Sequence, residues 1–434
     1  PPRCSNSPAF SSRCTVRLEH MEAAPASAST SFSLRSVTRS LGQRLTRFFT
    51  GSAPVIEEVA GFAVQTETAG IQVRAENVAA FSFPEELLTH EPCAEAVRAV
   101  FKNGSTERNV HCHVELTAEE NQNLEVMRAT AVEQGTEFLP SLAAAASRFL
   151  SRAKGDPKKA LEEMEATQEW RLDYFEDGPM LDTSLEEDLA LGVVYFTGRD
   201  HWLRPALAVR PGRVPAAWYK DKKLAAQKMV RLLVFSMEYM MQYMLLPGRV
   251  EGGIMLVDMS GLTSSQLSGS FGALTSIISV LANHYANRIF KFYTLNLPMA
   301  LSMTAQLGLR LLSERQRQKI EIVKDVRDLR QEFALHQLEE DFGGSRPKAE
   351  QFFPYPLPAG PFTAGSSEGA RPDAIPAVHL ALTAECLQGR PWDPALSWEE
   401  NRRLKFTPAA ADILKGHLAD ASLQALATAA APSR

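Results

Sequence analysis

The chain lacks the features that mark several common classes of protein. No uncharged apolar run reaches the roughly 18 residues that a membrane-spanning helix requires, so the sequence predicts no transmembrane segment. Only five cysteines occur, and their odd number and scattered positions do not form a disulfide framework, which favours a reducing compartment. The formal net charge is -5, whereas a general nucleic-acid binder would carry a basic domain, so nucleic acid is not an expected partner.

Catalytic signatures are absent as well. The sequence contains no G-x-G-x-x-G after a strand, no phosphate-binding G-x-x-x-x-G-K-S/T loop, no H-E-x-x-H and no G-x-S-x-G elbow. Asp258 and His284 remain candidates for a serine triad, although without an elbow a hydrolase is the least favoured interpretation. His111, Cys112 and His113 lack a second ligand pair, so we interpret them as a half-exposed strand. Neither a metal ion nor a cofactor is predicted.

The composition is ordinary for a globular protein, with 434 residues, 45% hydrophobic and 22% charged, and residues 1–54 are the exception. Between Ala23 and Ile56 the chain carries arginines but no acidic residue. This pattern fits either a disordered tail with a short basic helix or an organelle transit peptide that begins at Met21. Residues 55–116 mix short β-prone runs with a helical stretch near Glu91 to Lys102, which predicts a small α+β region of unassigned role.

Residues 117–185 have the pattern of a small helical bundle. The run Thr-Ala-Glu-Glu that starts at Thr117 provides a capping box before apolar residues at helical spacing. Pro140 begins the next predicted helix, and Gly155-Asp156-Pro157 ends it and starts another. Short helices with brief connections predict a bundle.

Residues 186–345 alternate between strands and helices. Two β-prone runs at 193–196 and 206–210 predict a hairpin. A long methionine-rich helix follows Lys220 and includes the buried stretch Met229 to Leu246, and GGIMLVD predicts a strand that ends at Asp258. Residues 284–344 then predict a strand, a helix, a strand and a helix. The fold class is therefore α/β, an N-terminal helical bundle followed by a mixed, largely parallel sheet covered by helices.

The first strand of the 284–344 stretch has apolar residues on both faces. Ile289, Tyr293 and Leu295 share one face and Phe290 and Phe292 share the other, as in a sheet that is covered on both sides. Residues 346–434 begin with a stretch rich in proline and glycine, which predicts an extended connector followed by C-terminal helices. The connector's aromatic residues are able to pack back on the domain.

The predicted helix from Met299 to Leu312 is apolar around nearly its whole circumference. Its only polar stripe consists of Ser302, Gln306 and Arg310, so it requires apolar material on both flanks. One flank can be the protein core and the other a bound apolar ligand or a membrane. The methionines of the 229–246 helix likewise suit either ordinary core packing or an adaptable acyl-chain pocket.

Lys319 stands out among the basic residues because it alternates with Ile320 along a predicted strand. A lysine near buried apolar surface requires a charged or hydrogen-bonding partner. A lipid phosphate would meet this need, and so would a salt bridge to an aspartate or glutamate. The other basic clusters, near residues 148–159 and 220–231, have the pattern of solvated helix faces.

The order of these segments resembles the CRAL-TRIO lipid-binding family. GRDHWLRPALAVRPG is similar to the family's hairpin, GGIMLVDMSGL to its central strand, and HYANRIFKFYTLNLP to its HYPER...NAP stretch. RQKI is similar to the T-x-x-KI strand and LEEDFGG to the closing LP-x-x-x-GG, while SRFLSRAKGDPKKALEEMEATQEWR resembles the N-terminal helical segment. The resemblance covers residues 117–345, divided into the helical segment at 117–185 and the lipid-binding domain at 186–345.

The resemblance implies a pocket for one lipid, closed by a gate helix. It places Lys319, Asn287 and Arg288 at the headgroup, although the family's glutamate is here Asn287, which forms hydrogen bonds but carries no charge. The implied pocket residues are Phe235, Tyr239, Met240, Tyr285, Phe290 and Phe292. The implied gate helix contains Pro298, Met299, Met303, Leu307 and Leu311, and the basic residues implied to face the membrane are Lys220, Lys222 and Lys223.

The expected function is non-enzymatic: to bind one lipid and transfer or present it between membranes. The ligand is phosphatidylinositol, another phospholipid or another hydrophobic molecule. We expect a cytoplasmic, monomeric protein without a cofactor that associates peripherally with membranes, unless residues 21–54 direct it to an organelle. The alternative is an adaptor that recruits partners to a membrane without moving lipid.

Overall fold

The computed structural model describes residues 58–84, 86–112, 114–262, 276–298 and 314–371. All of them belong to the second of two compact units, Ile56–Arg434. The predicted tail, the predicted C-terminal helices and the gate residues Met299, Met303, Leu307 and Leu311 lie outside the described residues. Within the described part of the chain, no helix is long and apolar enough to cross a membrane.

Residues 58–112 form small pieces of sheet and short helices. Strands β1 (Glu58–Val59) and β2 (Phe62–Ala63) are antiparallel, and β3 (Ile71–Gln72) pairs in parallel with β6 (Met180–Leu181). Helices α1 (Glu86–Thr89) and α2 (Ala94–Val97) precede the antiparallel pair β4 (Arg98–Val100) and β5 (Thr106–Arg108). The helix predicted near Glu91 to Lys102 is therefore wrong over its second half, because pairing with β5 holds residues 98–100 extended.

The helical segment follows its predicted boundaries closely. Helix α3 (Ala118–Gln134) begins with the complete Thr117–Glu120 capping box. Helices α4 (Pro140–Ala143) and α5 (Ala146–Arg152) come next, and α6 (Pro157–Tyr174) starts after Asp156, whose side chain accepts from the Lys159 amide. Their apolar faces form one core cluster with β2, which includes Leu124, Met127, Phe149 and Met164.

A five-stranded mixed sheet forms the centre of the molecule, in the order β11-β10-β9-β8-β7. The hairpin of β7 (Val194–Arg199) and β8 (Pro205–Val209) is antiparallel, and the remaining pairs are parallel. The other strands are β9 (Gly253–Asp258), β10 (Ile289–Leu295) and β11 (Ile320–Ile322). This arrangement is the mixed, largely parallel α/β sheet that the sequence predicts.

The two faces of the sheet differ in burial near β11. In β9 and β10, Leu256, Tyr293 and Leu295 are buried. A set of residues on the opposite face is only half-buried, and the strand register places Thr294 between two of them. We call this set the half-buried face: Val257, Phe292, Thr294, Ile320 and Ile322.

Helix α7 (Glu186–Ala190) and the long helix α8 (Lys222–Tyr239) pack beside this sheet. The side chain of Asp221 caps α8 by accepting from two amides, so the helix begins just after Lys220, as predicted. A π-helical turn at Met240–Met244 continues it. Residues 276–284 are helical before β10, and α9 (Glu314–Gln318) precedes β11.

The closing stretch of the domain is not the predicted helix. It consists of 3-10 turns at Val326–Gln331, Leu335–Gln337 and Glu340–Phe342. The backbone at Gly344 lies so close to the backbone at Leu338 that residue 344 has no room for a side chain. A Cβ atom on Gly344 would lie 2.0 Å from the Leu338 carbonyl oxygen. Gly344 is therefore required by packing, whereas Gly343, with φ = 80°, ends the turn at Glu340–Phe342 in a backbone conformation that favours glycine.

The proline-rich segment after this turn, residues 345–371, packs on the domain without regular structure. Phe353 lies against Phe235 of α8 with ring centroids 5.9 Å apart, and the Tyr355 hydroxyl is 3.0 Å from that of Ser236. Phe352 packs on Tyr195 of β7. This segment covers the outer strand and part of α8, so it belongs to the core rather than to a free connector.

Candidate functional site

Lys319 does not point to an open cavity but to a carboxylate. Its Nζ lies 2.8 Å from Oε1 of Glu107 in β5, and Nη2 of Arg315 lies 2.7 Å from the same oxygen. We call these three residues the Glu107 cluster. Lys319 occupies the turn between α9 and β11, because β11 begins at Ile320 and not at Lys319 as predicted.

The Glu107 carboxylate is buried, with 1% of its side chain exposed, and both of its cationic partners are less than a fifth exposed. Burial opposes its charge, but the hydrogen bond from Arg315 and the charge of Lys319 outweigh burial and hold the pKa of Glu107 below its usual value. Burial also lowers the pKa of Lys319, although Glu107 opposes that shift. Oε2 of Glu107 has no hydrogen-bond partner among the described residues.

Asn287 reaches this cluster through Ser151 of α5. Its side-chain amide is 3.5 Å from the Ser151 hydroxyl, and Nη1 of Arg315 donates to the Ser151 carbonyl at 3.3 Å. The backbone of Asn287 has φ = 51°, in the left-handed region that asparagine tolerates better than most residues. A local backbone requirement therefore accounts for asparagine at this position.

Arg288 points away from the Glu107 cluster. Its guanidinium donates to the Glu251 carbonyl at 3.0 Å and lines a cavity of about 470 Å³ between the helical segment and the end of α8. Burial and the charge of Arg148 together lower the pKa of Arg288 to about 9. Arg288 and Lys319 thus have different partners, and Asn287 is linked through Ser151 to Arg315 rather than directly to Lys319.

The charges that line this cavity already neutralise one another. Arg148 is paired with Glu251. Arg171 contacts Glu238 at 2.7 Å and Glu67 at 3.1 Å. These ion pairs connect the helical segment, which contains Arg148 and Arg171, with Glu251 and with Glu238 of α8. The cavity therefore lies between residues 67–71, the helical segment and the central domain.

The predicted pocket residues fall into two groups. Tyr285 lines the 470 Å³ cavity, where its hydroxyl donates to Glu238 at 2.8 Å. Phe290 lines a smaller space of about 30 Å³ beneath Arg204, and Phe292 belongs to the half-buried face. The remaining three are wholly buried in the core cluster: Phe235, Tyr239 and Met240.

Tyr239 shows why the second group lies in the core. Its hydroxyl accepts from the Ala79 amide at 2.9 Å and lies 2.6 Å from the Ser82 hydroxyl. Its ring packs edge-on against Tyr355 at 4.8 Å. Segments on either side of the central domain therefore cover this part of α8, which helical periodicity by itself does not indicate.

The basic residues predicted to face the membrane lie where α8 begins. Lys220 and Lys223 are exposed, and Leu224 beside them is 40% exposed. Lys222 is the first residue of the helix. Cations are unfavourable at the positive N-terminal end of a helix dipole. Their position is therefore not explained by helix stability.

Among the described residues, the side chains considered for a serine triad or a metal site are not arranged for either chemistry. Asp258 receives hydrogen bonds from Arg210 and Asn296, both at 2.8 Å. His284 instead stacks on Trp170 with ring centroids 4.2 Å apart, so Asp258 and His284 do not form a triad. The His111 ring contacts the Arg108 carbonyl, and His113 lies outside the described residues.

The central domain matches the family model described as CRAL/TRIO domain over residues 189–344. Residues 189–344 form a CRAL/TRIO domain. The match starts in α7, contains all five strands of the sheet and ends at Gly344, so Lys319, Asn287 and the half-buried face lie inside it. Glu107 lies outside the CRAL/TRIO domain.

Two similar proteins come from comparisons of sequence and of structure. The SEC14 cytosolic factor of Yarrowia lipolytica is 27% identical over 197 residues, which cover 43% of this chain and 39% of that protein. The chain thus spans about two fifths of that relative's length. The crystal structure of Sfh5 aligns with a TM-score of 0.41 and 14% identity, covering 55% of this chain and 91% of the other.

Sequence reasoning missed Glu107 and Ser151. Glu107 is 212 residues from Lys319 and stands in a short β-prone run with no motif around it. The only indication was indirect, because a buried lysine demands a partner that the sequence does not identify. Arg315 belongs to the basic run of Arg315, Arg317 and Lys319 in the sequence, but that run does not indicate that its side chain points to Glu107.

Proposed function

We propose that this protein binds a single lipid in its CRAL/TRIO domain and transfers or presents it between membranes. The observation that carries the proposal is the CRAL/TRIO match at 189–344, which contains the mostly apolar half-buried face of the sheet. Acyl chains would remove this surface from water at about 25 cal/mol per Å² of apolar area. The function needs no catalytic residue or cofactor, and we propose that the protein acts as a monomer.

We further propose that Lys319 and Arg315 bind the headgroup phosphate and that Asn287 contacts headgroup hydroxyls. Two cations share one carboxylate oxygen here, and Ser151 connects Asn287 to Arg315. Charge-assisted hydrogen bonds of this kind suit a phosphate, whose several oxygens serve both cations. Phosphatidylinositol and other phospholipids meet these requirements.

The gate and the membrane contact complete the proposal. We propose that the apolar helix predicted from Met299 to Leu312 closes the lipid site and opens at a membrane, where its exposed apolar face costs less. Exposed Lys220 and Lys223, beside exposed Leu224, would contact anionic headgroups. Such a protein would work in the cytoplasm as a peripheral membrane protein.

The proposal is tested by extracting lipids from protein purified from cells and identifying them by mass spectrometry. We expect one lipid per chain, and transfer of a labelled phospholipid between vesicles that contain phosphatidylcholine with phosphatidylinositol. Absence of stoichiometric lipid together with absence of transfer would contradict the proposal.

An adaptor that binds membranes without moving lipid is the second candidate. It is favoured by the internal partner of Lys319 and by the complete burial of Phe235, Tyr239 and Met240 in the core. Vesicle flotation combined with the transfer assay separates the two functions. An adaptor would float with vesicles containing phosphatidylinositol but would leave the labelled lipid in the donor vesicles.

A further inference from the structure

We propose that the cavity of about 470 Å³ between the helical segment and the end of α8 binds a small zwitterion whose acid and ammonium groups are joined by an apolar chain. The acid group would contact Arg288, and the ammonium group would contact Glu67 and Glu238. None of the five residues of the half-buried face lines this cavity. The inference therefore concerns a different surface and does not depend on the proposed lipid function.

The charges of the cavity cancel as a total but are unevenly distributed. Three arginines and three glutamates line the cavity, and their contacts divide them into two clusters. Among the residues that the structure describes, no ion pair joins one cluster to the other. The cationic cluster, which has one positive charge in excess, consists of Arg148, Arg288 and Glu251. The anionic cluster, which has one negative charge in excess, consists of Arg171, Glu67 and Glu238.

Arg288 lacks a carboxylate that is free to accept from it. Each oxygen of Glu251 already accepts two hydrogen bonds, from three backbone amides and from Arg148, which fills about the four acceptor positions of a carboxylate. Among its described partners, Arg288 donates only to the Glu251 carbonyl, although a guanidinium has five N–H donors. A charge that is removed from water needs a counter-charge. A bound acid group would provide one and would oppose the lowering of the Arg288 pKa to about 9 that burial and Arg148 cause.

The anionic cluster has the complementary property. Glu238 accepts from Arg171 on both oxygens and from the Tyr285 hydroxyl on Oε1. Glu67 accepts from Arg171 and the Ser141 hydroxyl on Oε1 and from the Ser141 amide on Oε2. Given these described contacts, Oε2 of each carboxylate retains room for one more donor. An ammonium group, with three N–H donors and one positive charge, supplies what this cluster lacks.

The rest of the lining and the volume define the body of the ligand. Leu142, Phe149, Met241 and Leu245 line the same cavity, so the part of the ligand between its charged groups would be apolar. Pockets for small molecules measure about 300–1,000 Å³ and combine an apolar lining with a few polar groups. A cavity of about 470 Å³ admits such a molecule but not the two acyl chains of a phospholipid, which favours a soluble zwitterion over a zwitterionic lipid.

Calorimetric titration of the full chain with ω-amino acids tests the inference. The probes are 4-aminobutyrate, 6-aminohexanoate and 8-aminooctanoate, which differ in the separation of their charges. Hexanoate and hexylamine are the controls, because each carries only one of the two charges. We expect the best of the three zwitterions to bind at least about tenfold more tightly than either control.

Two substitutions assign the two ends of the ligand. Arg288→Gln should weaken binding of the best zwitterion and of hexanoate by about tenfold or more, because both lose the partner of their acid group. Glu67→Gln should weaken the zwitterion by a similar factor but should not weaken hexanoate, which has no ammonium group. The matched control Arg327→Gln removes an exposed arginine and should leave all affinities unchanged.

Three results would overturn the proposal: no binding by any of the three zwitterions, binding of hexanoate as tight as that of the best zwitterion, or an unchanged affinity in Arg288→Gln. The comparison of ligands on the unmodified protein needs no variant, so it decides the question even if Arg288→Gln does not fold. Competition with vesicles of phosphatidylethanolamine separates a soluble ligand from a lipid headgroup. We expect the vesicles not to displace the bound zwitterion, and displacement would contradict the proposal.

Discussion

Lys319 contacts Glu107 within the protein, and we propose that it also binds the phosphate of a lipid headgroup. Substitution of Lys319 should distinguish its structural role from its role in lipid binding. We expect Lys319→Ala to reduce uptake of phosphorylated lipids about tenfold or more and to change uptake of a neutral lipid much less, because only the phosphate loses a charge-assisted hydrogen bond. Vesicle uptake assays with phosphatidylinositol and diacylglycerol measure the two effects. Equal effects on both lipids would assign Lys319 a purely structural role through its contact with Glu107.

His284 should make the folded protein sensitive to acid. Burial, with the charges of Arg152 and Arg171, lowers its pKa from 6.5 to about 4. Between these values the unfolded chain binds more protons, so the contribution is complete above pH 6.5 and is lost as the pH falls toward 4. The full loss is about 3 kcal/mol at most.

Urea unfolding of the unmodified protein and of His284→Gln at pH 7 and at about pH 4.5 measures this contribution. The unmodified protein should lose more stability on acidification than the variant does. Carboxylates that titrate in the same range affect both proteins alike, so the difference between them reports on His284. An equal loss in both proteins would contradict the prediction.

At the scale of elements, the segment 345–371 should contribute measurably to stability although it has no regular structure. Phe353 is 9% exposed and packs against Phe235 of α8 and Tyr355. We expect Phe353→Ala to lower the free energy of unfolding by about 3 kcal/mol or more, the usual cost of removing a buried aromatic ring. Urea unfolding measures this value.

The matched control for Phe353→Ala is substitution of an exposed apolar residue, Val132→Ala, in α3. It should change the free energy of unfolding by about 0.5 kcal/mol or less. Similar small effects from both substitutions would mean that the aromatic residues of this segment are not required for the core.

The start of α8 should determine membrane attachment. Lys220 and Lys223 are exposed and are not required by the helix, so the double substitution Lys220→Glu and Lys223→Glu should leave stability nearly unchanged. Each basic residue near an anionic surface contributes about 1 kcal/mol, so flotation with vesicles containing phosphatidylserine should fall at least tenfold. Unchanged flotation would place the membrane contact elsewhere on the protein.

At the scale of the whole molecule, the CRAL/TRIO domain is packed together with what precedes and follows it. Its main core cluster includes Ile71, Phe83 and Leu87 from the N-terminal side, and Phe352 and Phe362 from the C-terminal side. Ion pairs such as Arg171–Glu238 and Lys319–Glu107 cross the same boundary. The flanking residues therefore stabilise the domain and also place charges at its proposed headgroup site.

The sequence alone determined the parts of this protein that depend on local patterns. The Thr117 capping box, the restart at Asp156 and Pro157, the β7–β8 hairpin and the strand at residues 289–295 all follow from signals within a few residues. The order of the motifs likewise indicated the CRAL/TRIO family, whose model matches residues 189–344, because a family resemblance needs no tertiary contact.

Only the tertiary structure decided which residues meet across long separations. The partner of Lys319 is 212 residues away, and the packing of Tyr239 depends on Ala79, Ser82 and Tyr355 from both flanks. Sequence periodicity indicates that the Lys319 side chain lies near buried surface and needs a partner. It does not indicate which of the chain's many glutamates is that partner. The choice of Glu107 comes from the pairing of β4 with β5 and from their position beside α9, which are properties of the folded chain as a whole.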